Sequence, residues 1–257
     1  MRISPRHPRA ASLRTRAHLA QEMRAGVVAP EGLIAHGRGE AFDYLLGERS
    51  SASARRAERA AAAWLRAARH PVVSVNGNVA ALAAQPLARL ARAYPRLSVE
   101  VNLFHRTPAR AAKVASRLHA AGIRTVLGVH PTARIPNLPS DRALVDREGI
   151  ARADVCLIPL EDGDRTDALR ALGIRVISID LNPLSRTSQR SDLPIIDELT
   201  RALEHIGQAA RARSMRVRPG VFRPFDRSRA LADAFATIEH RLTREAAVRA
   251  PRLSRRR

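Results

Sequence analysis

Between His36 and Glu40 the sequence sets a histidine, an arginine and an acid around two glycines, in the stretch GLIAHGRGEAFDYLLGE. Bare backbone beside charged groups suits a chain that must come close to an anion. Arg38 offers a planar, two-pronged contact to phosphate, while His36 and Glu40 offer a base and an acid to orient or accept an amine. A polar turn between two helices accounts for the same residues equally well.

Further cations stand where loops are expected: Arg106, Arg134, Arg165 and Arg186. His105 lies beside Arg106 as a second candidate base. Asn76, Asn78 and Asn102 can orient carbonyl, hydroxyl or carboxylate groups without adding charge. In the acidic loop Glu161-Asp162-Gly163-Asp164, Asp162 and Asp164 could hold Mg²⁺ through water; capping of the next helix by Asp164 or Thr166 explains the loop as readily. Helix starts after Asn78, Thr107 and Thr166 supply free N–H groups for phosphate. The set reads as a site for a nucleotide and a second anion, without an obvious nucleophile. Such chemistry proceeds by positioning and charge neutralisation, as in acyl or phosphoryl activation.

These residues need a scaffold. Apolar runs at 71–76, 97–104, 125–129, 154–160 and 175–181 read as strands, and helical patterns alternate with them. Ser51 opens an Ala-rich helix that closes near His70. Thr107 caps a helix with Pro108 first and Gly122 just past its end. Helices are also expected over 8–24, over 42–46, from about Ser140, up to Gly173, and from Pro194 to His205. Alternation of this kind predicts an α/β fold with a mostly parallel sheet of about five strands and helices on both faces. Ligands bind at the carboxyl ends of the strands in such folds, and every expected strand end carries polar side chains.

Composition excludes several classes. Cys156 is the one cysteine, in the apolar run DVCLIPL, so it reads as a buried, inert thiol; disulfides and Cys-rich metal sites are ruled out. No G-x-G-x-x-G follows a strand and no Walker A pattern exists; Lys113, the one lysine, sits mid-helix. The nine histidines show no paired helical spacing. The formal charge of +21 invites a nucleic-acid reading, but aromatic residues make up only 3% and the excess of arginine is concentrated after Gly207. Nucleic-acid binding is therefore not expected of the core. No apolar run reaches the length of a membrane span, and the basic N-terminus lacks the apolar core of a secretory signal, so a cytoplasmic protein is expected.

The blocks GLIAHGRGEAFDYLLGE, VVSVNGN, VEVNLFHRT, ARIPNL, PLEDGDRT and IDLNPLSRT resemble the archaeal 4-phosphopantoate–β-alanine ligases, or phosphopantothenate synthetases, from about His7 to Leu203. The resemblance implies a Rossmann-like fold, a homodimer, and ATP-dependent joining of 4-phosphopantoate to β-alanine with release of AMP and pyrophosphate, in coenzyme A biosynthesis. Its nucleotide contacts would fall on Arg16, Arg38, Asp180, Leu181, Asn182, Arg186 and Thr187, and near Asp197 and Glu198, where an Asp-Asn pair is more usual. Asn137, within ARIPNL, joins the candidate substrate contacts. The division expected is a ligase domain over 1–206 and a basic extension over 207–257, made of a linker, an amphipathic helix and a disordered end. Every candidate residue precedes the extension, so it is expected to be dispensable for catalysis. Two rivals remain: a nucleotide-binding oxidoreductase, and a protein that binds nucleic acid through its basic tail.

Overall fold

The computed structural model describes residue 4, residues 6–211 and residues 217–254. At its centre five parallel strands run in the order β2-β1-β5-β6-β7. They are β1 (Pro71–Val75), β2 (Ser98–Val101), β5 (Val155–Pro159), β6 (Arg175–Ile179) and β7 (Leu193–Ile195). Alternation along β1 sends Val73 and Val75 to one face and Val72 to the other, so each face has its own apolar cluster. Burial of each such side chain contributes about 1.5–3 kcal/mol.

The larger cluster lies under α3 (Ala52–Ala67), α4 (Gly77–Ala93), α5 (Pro108–Ala120) and α8 (Leu199–Ala210). Ser51 caps α3 by accepting from the Ala54 N–H at 3.0 Å. Thr107 caps α5 by accepting from the Arg110 N–H at 3.1 Å, with Pro108 at the first position. Helix α4 kinks at Ala83, three residues before Pro86, which has no N–H to give. The opposite face is covered by α6 (Gly163–Ala171) and by the short antiparallel pair β3 (Ala133–Arg134) and β4 (Leu144–Val145).

Three helices frame the carboxyl edge. They are α1 (Ala10–Arg24), α2 (Pro30–Leu46) and the five-residue α7 (Arg186–Arg190). The last helix, α9 (Arg227–Ser254), lies against α2 and α3. Its Ala234 is buried with Leu46, Leu181 and Ile196, and Phe42, Leu231 and Ile238 pack around them.

Four elements differ from the sequence expectation. The stretch from His36 to Glu40 is a continuous part of α2 rather than a turn: Pro30 starts the helix, Gly47 ends it in the left-handed conformation, and the two glycines are helical. The run 125–129 forms no ladder. Leu127 makes one isolated bridge to Glu100, and Gly128 at φ +76 ends the pairing. The fifth strand is instead β7, taken from a segment expected to open a helix; Pro194 is tolerated because β7 is the sheet edge. No α-helix follows Ser140, only two 3-10 turns, Asp141–Ala143 and Ile150–Arg152, on either side of β4. Of the expected linker, α8 takes the part up to Ala210, and 212–216 lie outside the described residues. Helix α9 continues to Ser254, and the last three residues of the expected disordered end lie outside the described ones.

Candidate active site

The chain turns from one side of the sheet to the other between β1 and β5, and loops diverge there to leave a crevice. Its cavity is about 580 Å³, and the ends of β1, β2, β5 and β6 all contribute: Asn76 to Asn78, Phe104 and His105, Leu160 to Gly163, and Asp180 to Asn182. Helix α2 closes the outer side with Arg38. A second cavity of about 700 Å³ lies behind α2 and holds His36, Glu40, Asp43, Asp197 and Glu198. Ala35 and Gly39, one helical turn apart, line both cavities, as do Asn78, Leu160 and Leu181. A Cβ on Gly37 would meet nothing within 4 Å, and one on Gly39 would first meet Leu181 at 3.8 Å. Gly39 therefore thins the wall between the chambers, while Gly37 lines neither.

Arg38 is exposed in the crevice, and its charge reaches the half-buried Asp180. Burial pushes the Asp180 carboxyl up; Ser185, the Asn182 N–H at 2.9 Å and Arg38 pull it back. Arg186 and Asp164 form an ion pair at 2.5 Å across the starts of α6 and α7. Gly163 is required there, because a Cβ would lie 2.4 Å from that of Arg186. The Thr187 hydroxyl donates to the Glu161 carbonyl at 2.5 Å, which fixes α7 to the end of β5. Asn182 turns its own Oδ1 to the Leu184 N–H at 2.8 Å.

Two arginines that line the crevice were not singled out in the sequence. Arg110 donates to the carbonyls of Val27 (3.2 Å) and His105 (2.7 Å). Arg142 is gripped by both Glu161 oxygens at 2.8 Å and lies 3.2 Å from Asp162. Burial and the charge of Arg142 hold the Arg110 guanidinium below its ordinary value, so two fixed cations face one space. Arg110 was hidden one turn inside a helix, and Arg142 in a stretch that read as a helix start; no sequence signal marks either.

The remaining candidates divide by place. In the second chamber Glu40 accepts from Arg16 Nε at 2.9 Å, from the Tyr44 hydroxyl at 3.1 Å, and from Ser12. Burial acts to raise its carboxyl, but these hydrogen bonds outweigh it and hold the group below the usual carboxylate range. Glu40 thus orients Arg16 rather than Arg38. Burial lowers the half-buried His36, more than the nearby Glu40 and Glu198 raise it. Glu198 caps α8 through the Thr200 and Arg201 N–H groups, at 2.9 and 3.0 Å. Asp197 is buried and accepts from Arg201 at 2.8 Å. His105 is exposed at the crevice mouth, 3.8 Å from Glu31.

Several candidates hold structure. Asn76 caps α4, accepting from the Val79 N–H at 3.0 Å while donating to the Leu160 carbonyl at 2.9 Å. Asn102 is fully buried and donates to the carbonyls of Arg142 and Leu144. Arg106 donates to the carbonyls of Gly128 and Val129. Arg165 is buried against Ser74 and Glu161. Arg134, in β3, and Asn137, a left-handed turn residue at φ +57, are not among the residues lining either cavity. Asp162 and Asp164 each face an arginine, and partial burial followed by Glu161 pushes the Asp162 carboxyl up.

Fold and crevice together define a three-layer α/β protein whose cleft is chemically suited to anionic substrates. The chain belongs to the phosphopantothenate/pantothenate synthetase family, whose model matches residues 53–241. It is 50% identical to the 4-phosphopantoate–β-alanine ligase of Methanospirillum hungatei over 240 residues, 93% of this chain and 98% of the relative. Identity to the enzymes of that name from Thermococcus kodakarensis and Methanosarcina mazei is 45% and 46%, over 94% of this chain and 94% and 96% of theirs. The family match runs past Gly207 into α9 as far as residue 241, so the first part of the basic extension lies within the family's model. No helix among the described residues is long and apolar enough to cross a membrane.

Proposed function

We propose that the chain joins 4-phosphopantoate to β-alanine with ATP, releasing AMP and pyrophosphate through a phosphopantoyl adenylate, in coenzyme A biosynthesis. The observation that carries this reading is the cleft with four arginines along it, Arg38, Arg110, Arg142 and Arg186, which shares the wall at Gly39 with a second chamber. The names of the relatives support it.

Arg38 and Arg186 are assigned to the polyphosphate, with the N–H groups at the start of the 17-residue α4. Arg110 and Arg142, both held by the protein, are assigned to the phosphate of 4-phosphopantoate. The donor set fits ATP with Mg²⁺: Asp162 and Asp180 supply oxygens in a cleft that also carries four arginines, and the ion would neutralise charge on the phosphates. Asp164, paired to Arg186, would set that arginine. The substrate carboxylate attacks the α-phosphate, and Arg38 and Arg186 receive the charge that builds on departing pyrophosphate. The amine of β-alanine must lose a proton before it attacks the acyl carbon. His105, at the crevice mouth, and His36, in the second chamber and lowered by burial, are the two histidines assigned as candidates to take it. Arg16, aligned by Glu40, and the turn at Asp197 and Glu198 are assigned to the nucleotide in the second chamber. A homodimer belongs to the same reading, supported by the exposed Phe235 and Leu242 on α9.

The test is product analysis. AMP should accumulate only when ATP, 4-phosphopantoate and β-alanine are all present, whereas ATP and 4-phosphopantoate alone should exchange labelled pyrophosphate into ATP. ADP and phosphate as products would overturn the adenylate route; oxidation of a nicotinamide cofactor would support the oxidoreductase instead.

A further inference from the structure

Away from the crevice, Glu58 of α3, Asp197 of the turn after β7 and His205 of α8 bring one ligand atom each within 4.8 Å of one another. Glu58 is 1% exposed and Asp197 2%. Among the described residues neither Glu58 oxygen has a hydrogen-bond partner, nor does Asp197 Oδ2. His205 Nδ1 stands 2.9 Å from Glu58 Oε2 but without hydrogen-bond alignment. The neighbouring cations are engaged elsewhere. Arg201 serves Asp43 and the other oxygen of Asp197, and Arg55 stays 3.8 Å from Glu58 on the exposed side. Three carboxyl oxygens, both of Glu58 and Oδ2 of Asp197, stripped of water and left without donors are costly unless a positive charge stands between them.

We propose that Glu58, Asp197 and His205 form a site for one divalent transition-metal ion of the zinc or manganese class. An imidazole nitrogen with two carboxylate oxygens suits such an ion, and leaves coordination positions for water. Mg²⁺ prefers oxygen ligands, so this site is separate from the ion that accompanies ATP. The bound ion ties α3 and α8 to the turn that carries Glu198, and so fixes one wall of the second chamber. The assignment rests on geometry; Asp197, which the proposed reaction also sets beside the nucleotide, gives its Oδ2 to this cluster and its Oδ1 to Arg201.

The experiment strips the full-length chain with a chelator and titrates it with Mn²⁺, followed by electron paramagnetic resonance, and with Zn²⁺, followed by calorimetry. One ion per chain is expected, with a rise in melting temperature that equal Mg²⁺ does not give. Binding should weaken roughly tenfold or more in His205→Gln and in Glu58→Gln. His205 is at the rim and its replacement should leave the circular dichroism unchanged; if Glu58→Gln does not fold, His205→Gln decides alone. A folded parent that binds neither ion leaves the two carboxyl groups sharing a proton and overturns the site. Binding that survives His205→Gln places the ion elsewhere and overturns it too.

Discussion

Asn78 Nδ2 donates to the carbonyl of Gly32 at 2.7 Å, and this bond hangs α2 on the first turn of α4. Position 32 is glycine because a Cβ would fall 2.1 Å from Asn78 Oδ1. Asn78→Asp removes the donor and sets a carboxylate against the carbonyl. The expected cost is about 1–3 kcal/mol of stability. Because Arg38 rides on α2, KM for ATP should rise as well. Thermal melting and initial rates check both; an unchanged KM would mean that α2 is held by other contacts.

Arg38→Ala should keep the fold, since the side chain is exposed, and lose about 10²- to 10³-fold in ligation rate, as loss of one aligned donor to developing charge does. Arg38→Lys should restore little, because an ammonium cannot make the planar two-pronged contact. Pyrophosphate release measured beside a melting curve decides. A variant that melts and turns over like the parent returns the residue to the surface.

Gly37→Ala separates two reasons for a glycine inside a helix. Nothing in the protein lies within 4 Å of the added methyl, and alanine in a helix interior is favoured by about 0.5–1 kcal/mol. Melting should therefore rise by roughly 1–4 °C. If the bare backbone makes room for ligand, KM for ATP rises at the same time. A more stable variant with unaltered kinetics would sink that role.

Glu100 supplies a pH dependence. It is fully buried and accepts from the Asp146 and Ile150 N–H groups at 2.9 and 2.6 Å. Burial nonetheless pushes its carboxyl up, from 4.5 to about 7. Between those values the folded chain keeps a proton that the unfolded chain has released, so this residue's contribution to stability falls as pH rises from about 4.5 to about 7. In Glu100→Gln the dependence should flatten, changing the stability gap to the parent by on the order of 3 kcal/mol across the window. Denaturant melts at several pH values measure it, and parallel curves would refute it.

Removal of α9 before Asp226 should not be neutral, contrary to what the order of the candidate residues suggests. Ala234 and its neighbours cover Leu46, Leu181 and Ile196, and Leu181 lines both chambers. The truncated chain should melt roughly 5–10 °C lower and ligate poorly. Full activity in a shortened, folded chain would show that the helix is an accessory.

The sheet was legible because β1, β5 and β6 are nearly unbroken apolar runs, the mark of strands buried on both faces. Its fifth strand was not: Leu193–Ile195 is three residues long and contains a proline, which only an edge tolerates. The run containing Leu127 looked more like a strand, yet Gly128 turns it away. The glycines of α2 fitted a turn as well as an approach to an anion, and no helix was expected through them, because local propensity was weighed without the contacts to α4 and α9 that hold the helix. At the site, residues that follow a strand were legible from position alone. Whether a given arginine faces the cleft or a backbone carbonyl, as Arg106 does, is decided by packing between elements remote in sequence.

The cluster of Leu46, Leu181, Ile196 and Ala234 also sets an order in time. During synthesis the first strands and helices can pair as they emerge. Leu181 stays uncovered until residue 234 has left the ribosome. The partition between the two chambers is therefore finished only once α9 has emerged. A nascent chain that stops short of α9 would carry the arginines without the enclosure, so the closing helix couples synthesis past residue 234 to a competent enzyme.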